Sequence, residues 1–133
     1  MTMTLTKDQI LEAQDLQSES VEVKEWGGSV LVRTMTGADR DAFEASMITT
    51  LADGTRKPNM ANMRAKLVAL TVVDDAGNLL FGVSDVDRLA LKSASALERV
   101  FTAAQRINGL GAQAEDLAAK NSVAGLSASS TSA

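Results

Sequence analysis

The stretch from Asn59 to Asp74, NMANMRAKLVALTVVD, constrains the fold more than any other. Met60, Met63, Leu67 and Leu70 recur at spacings of three and four, which places them on one stripe of an α-helix. Ala61, Ala65, Val68 and Val72 form a second stripe beside it, and polar residues are confined largely to Asn62, Arg64 and Lys66. An apolar surface that wide needs neighbours on two sides. The spacing therefore predicts a central helix capped by Asn59 and running to the Asp74 region, with the rest of the chain packed around it.

A chain of 133 residues holds one core and hardly two. Hydrophobic residues make up 45% but aromatics only 3%, so Ala, Leu, Val and Met must build that core. The net charge of −4 argues against nucleic acid as a partner, because phosphate contacts need clustered Lys and Arg. Without Cys there is no disulfide or thiolate metal site, and without His the commonest general base and metal ligand is missing. No apolar run is long enough to span a bilayer, and MTMTLTKDQIL has no apolar leader region. Neither membrane insertion nor secretion is expected.

Taken in order, Thr6-Lys7-Asp8-Gln9 matches a capping box and opens a short helix through Ile10 and Leu11. Between Ser20 and Thr36 the period changes from 3.6 to 2. Val21 and Val23, then Val30 and Val32, alternate with polar or outward positions on either side of Gly27-Gly28, which predicts a β-hairpin. Thr36 reads as the cap of a second helix with Asp39 in its first turn. Phe43, Met47 and Leu51 make its inner stripe, and Asp53-Gly54 its end. Thr55 to Pro58 reads as a basic loop. Asp74 to Asn78 is a turn cluster, followed by Leu79-Leu80-Phe81 as a short strand or extended segment.

Ser84 to Asp87 opens another short helix, to about Leu91. Ser95-Ala96-Leu97-Glu98 matches a second capping box, starting a helix whose inner face is Leu97, Val100, Phe101, Ala104 and Ile107 and whose end is Asn108-Gly109. From Ser122 the chain is rich in Ala and Ser and carries no charge. The expected fold class is α+β: a small, mainly helical single domain over residues 1–111 with an N-terminal β-hairpin, then a flexible, disordered tail over residues 112–133.

The candidate chemistry is thin. Asp74, Asp75 and Asn78 offer oxygen ligands, but a calcium loop needs ligands at alternating positions and a distal Glu, and a tight turn accounts for these residues. Asp85 and Asp87 sit where a helix N-terminus favours negative charge. Gly27-Gly28 is not a phosphate loop, and neither G-x-G-x-x-G nor a P-loop occurs, so no cofactor is expected. Arg56-Lys57 reads as a solvated pair. Met35, Met47, Met60 and Met63 serve either as core filler or as adaptable surface. Trp26 beside the glycine turn is either a partner anchor or packed on its own domain. Trp26, Phe81 and Leu110 are the candidate partner-binding residues. No catalytic or metal-ligating constellation is present in the sequence, and an enzyme is not expected.

The run VEVKEWGGSVLVRTMTGADRDAFE, then NMRAKLVALTVVDDAGNLLF and SDVDRLALKSASALERVFTAAQRINGL, resembles the tail assembly chaperones of long-tailed bacteriophages and prophages. The resemblance covers about residues 5 to 120 and lies in the combination of segments, since no single piece is diagnostic. It implies a protein made in the cytoplasm of the infected bacterium and absent from the mature virion. Such proteins bind the long helical tape measure protein in many copies, keep it soluble and help bring tail tube subunits to it.

Many members of that family also exist in an extended form produced by a programmed ribosomal frameshift. Ala119-Lys120-Asn121 can be encoded by a slippery heptamer, so Lys120 and Asn121 are the candidate junction. The competing reading is a structural tail or head–tail connector subunit that stays in the particle. The apolar width of the central helix and of the Leu97–Ile107 face leads to a further expectation of self-association.

Overall fold

The computed structural model describes residues 3–110. The tail and the Lys120-Asn121 junction lie outside them. The order of elements is α1 (Lys7–Glu12), β1 (Ser18–Val23), a 3₁₀ turn (Lys24–Trp26), β2 (Gly28–Arg33), α2 (Gly37–Ser46), β3 (Ile48–Thr50), β4 (Arg56–Pro58), α3 (Met63–Thr71) and β5 (Val72–Val73). A second 3₁₀ turn (Val83–Asp85), α4 (Val86–Leu89) and α5 (Ala94–Ile107) complete it. The fold class is α+β, as the two periods in the sequence implied.

β1 and β2 form the expected antiparallel hairpin, in register from Ser18 opposite Arg33 to Val23 opposite Gly28. Of the Gly27-Gly28 pair, Gly27 alone takes a positive φ, at 74°, and it closes the 3₁₀ turn that carries Trp26. Gly28 belongs to the strand. Val23 and Val32 are fully buried and Val21 and Val30 pack against the core, so the alternation in the sequence does mark the inner face.

The central helix is shorter than its apolar pattern. It starts at Met63, not near Asn59, because the Asn59 side chain accepts a hydrogen bond from the Ala61 backbone at 3.1 Å and Asn62 turns the chain left-handed at φ 56°. It stops at Thr71, whose hydroxyl donates to the Leu67 carbonyl at 2.8 Å. Val72 and Val73 then extend and pair with Val32 and Leu31 as the third strand, in the sheet order β1-β2-β5. β-branched side chains favour that state, so the last turn of the expected helix becomes an edge of the sheet. Ala65, Leu67, Val68 and Ala69 are buried, whereas Met60 projects into solvent.

α2 begins as expected, with the Thr36 hydroxyl accepting from the Asp39 backbone at 3.0 Å. It ends at Ser46, well before Asp53-Gly54. Ile48-Thr49-Thr50 instead pairs with Arg56-Lys57-Pro58 in a second, exposed hairpin, and Gly54 at φ 88° serves its turn. The supposed basic loop is therefore a strand, and Leu51 lies outside the core.

α5 packs across β1 and β2 on one side and along α3 on the other. Its inner face is the expected one, widened by Ala96 and Ala103. Its cap is not. Ser93 accepts from the Ala96 backbone at 3.1 Å, and Ser95 donates to Glu25 of the hairpin. The apolar faces of α3 and α5 thus cover each other, and the apolar surface left over lies elsewhere.

Candidate partner-binding face

That remaining surface is built by the segment between β5 and α5. Asp74 closes its turn through Oδ1, which accepts from the backbones of Ala76 and Asn78, each at 2.9 Å. This accounts for the Asp74, Asp75 and Asn78 cluster as a turn. Leu79 makes one bridge to Val73, and the chain then lifts away from the sheet. Asp85 pulls it back, accepting from the Gly82 backbone at 2.8 Å and from Arg88 at 2.8 Å. Those two donors, the backbone first, hold the Asp85 carboxyl below its ordinary value of 3.8. Asp85 is thus committed to shaping the loop.

The four-residue α4 buries Leu89 but has no second turn with which to cover its neighbours. Leu80 is 52% exposed, Val83 90% and Leu91 85%. Leu80, Phe81, Leu89 and Leu91 line an open groove of about 610 Å³ together with the Asp85–Arg88 ion pair and Lys92. A second groove of about 420 Å³ adjoins it. Its walls are Met60 and Met63, its floor is Ala65, Ala90 and Leu97, and its rim is Arg64 and Lys92. Lys92 borders both. The Arg64 guanidinium is held by Glu98 at 2.6 Å and lies 5.6 Å from the centre of the Phe101 ring.

Small residues on a groove floor let a helix backbone approach closely, and unbranched Met side chains re-pack around different ridges. Arg64 and Arg88 are held by Glu98 and Asp85, which leaves Lys92, shared by both grooves, as the cation that favours an acidic partner. The arrangement fits an amphipathic helix with a carboxylate-bearing edge.

Of the residues singled out in the sequence, Phe81 lines the larger groove. Trp26 and Leu110 are each half-buried against the core and line neither groove. Met35 is core, Met47 and Met63 are partly buried against it, and Met60 is surface, so both readings of the methionines hold at different positions. Sequence reasoning missed Leu80, Leu91 and Lys92. The available signal was local: Leu79-Leu80-Phe81 and Leu89-Ala90-Leu91 carry more apolar surface than a short helix can bury. Among the described residues no cluster of acidic groups is placed to hold a metal ion.

No protein-family model and no curated protein matches the chain. Among solved structures, it is similar to the tail assembly chaperone of bacteriophage HK97, with a TM-score of 0.55 and 16% identity. The similarity covers 75% of this chain and 90% of that one. At that identity the likeness is one of fold.

Proposed function

We propose that this chain is a phage tail assembly chaperone, which acts by binding a long helical client and not by catalysis. The observation that carries the reading is the shared fold, which extends over 90% of the HK97 chaperone. The client we propose is the tape measure protein, held in many copies of this chain through the methionine-walled groove and its cationic rim. Individually weak sites repeated along one extended client gain strength through multivalency. In this reading the protein works in the bacterial cytoplasm, is released before the virion is complete, and recruits tail tube subunits through an extended form joined near Lys120 and Asn121.

The experiment that tests this reading against a structural tail or connector subunit is quantitative mass spectrometry of lysate and of purified particles. A chaperone is abundant in the lysate and absent from particles. Stoichiometric recovery in particles overturns the proposal. The same lysate tests the extended form, through peptides that share this N-terminus and continue past Lys120 in a second frame.

A further inference from the structure

Met60 stands where an unbroken helix would have buried it. In sequence it shares a helical stripe with Met63, Leu67 and Leu70. The turn from Asn59 to Asn62 takes it off that stripe. The Asn59 side chain accepts from the Ala61 backbone, Asn62 has a φ of 56°, and α3 starts only at Met63. Met60 is left 57% exposed, on the wall of the groove floored by Ala65, Ala90 and Leu97.

The chain has six Met and no Cys, so oxidation at sulfur falls on thioethers alone. A thioether needs no deprotonation before it reacts, and attack on it follows access. Met35 is 9% exposed, and Met47 and Met63 are partly buried against the core. Met3 is open to solvent but lines neither groove. Among the described residues, Met60 is the methionine that is both readily reached and on the wall of the groove.

We infer that Met60 is a reversible oxidation site, and that its conversion to the sulfoxide releases a helix held in the methionine groove. The inference rests on the reading of that groove as the client site. The Met60 sulfur attacks one oxygen of hydrogen peroxide, so that an S–O bond forms and the O–O bond breaks. The displaced hydroxide takes the proton from the transferred oxygen and leaves as water. Sulfur is oxidised by two electrons and the peroxide is reduced. An apolar wall thereby gains an oxygen that needs a hydrogen-bond donor. Under the apolar face of a client helix that oxygen is unpaired, which disfavours the bound state. In the free chain solvent satisfies it, as can Lys92 on the same groove, at the expense of a client carboxylate. Reduction by a methionine sulfoxide reductase restores the thioether.

The test treats the full chain with hydrogen peroxide, removes the excess with catalase, and follows each methionine by peptide mass spectrometry. Binding is read from the anisotropy of a fluorescein-labelled amphipathic helix of about 18 Leu, Ala and Glu residues, which carries no sulfur. Met60 is expected to convert before Met35, Met47 and Met63. The treated parent binds the peptide at least about tenfold more weakly than the untreated one, and sulfoxide reductase with dithiothreitol restores the loss. Each variant is compared with its own untreated sample. Met60→Leu holds its affinity through the treatment, whereas Met3→Leu loses it as the parent does. Conversion of Met60 no faster than of Met63, an affinity indifferent to oxidation, or an equal loss in Met60→Leu would each overturn the inference and leave the groove reading standing. An untreated parent that does not bind the peptide would overturn both.

Discussion

The side-chain oxygen of Asn108, at the end of α5, accepts a hydrogen bond from the Met35 backbone N–H at 2.7 Å, across 73 positions of sequence. Its amide nitrogen donates to Ala104 at 2.9 Å. One side chain therefore ends a helix and satisfies a backbone donor at the exit of β2, where Met35 is buried. Replacing Asn108 by Ala leaves that N–H without a partner. Urea unfolding of Asn108→Ala is expected to show a loss of about 1–3 kcal/mol. A loss within error of zero would mean that the contact is dispensable.

The two candidate caps of α5 are separable. Ser93 accepts from the helix backbone, whereas the Ser95 hydroxyl is given to Glu25 on the exposed surface. Ser93→Ala is expected to cost about 1 kcal/mol and Ser95→Ala a few tenths at most, by thermal or urea denaturation. The reverse order would place the start of the helix two residues later.

Two ion pairs clasp β1 and the hairpin turn to α5. Arg106 donates to Glu19 at 2.8 Å, and Arg99 to Glu25 at 2.9 Å. These partners hold both carboxyls below the ordinary 4.5. A carboxyl with a depressed folded value binds its proton more readily when unfolded. Its contribution is therefore complete above about pH 4.5 and lost as pH falls through the folded value. The thermal midpoint is expected to hold steady from about pH 7 to 5 and to drop below about 4.5. In a Glu19→Gln, Glu25→Gln variant the acid drop is shallower. Superimposable acid profiles would contradict the assignment.

Which parts of the fold were legible follows from how local their signals are. The Val21–Val32 alternation, the Thr36 cap and the inner face of α5 are each written within a few residues, and each forms as read. The errors occur where two local patterns compete. Phe43, Met47 and Leu51 satisfy a helical spacing, but Ile48-Thr49-Thr50 and the Asp-Gly pair also satisfy a hairpin, and the strand pairing prevails. Val72 continues a helical stripe, but β2 offers it a ladder. Asn59 could cap a helix, but it closes a turn. The candidate face was least legible, because Met60, Leu80 and Leu91 come from separate loops and share no period. Only the fold brings them to one surface.

The measurement that tests the chaperone reading most directly is co-expression with a candidate phage tape measure protein, scored as the fraction of that protein left soluble. Met60→Glu with Lys92→Glu is the companion variant, since both residues border the methionine groove. The reading predicts that the tape measure protein is soluble and co-purifies with the parent chain, and is lost to the pellet with the doubly substituted one. A tape measure protein equally soluble with the parent, with the variant and alone would contradict it.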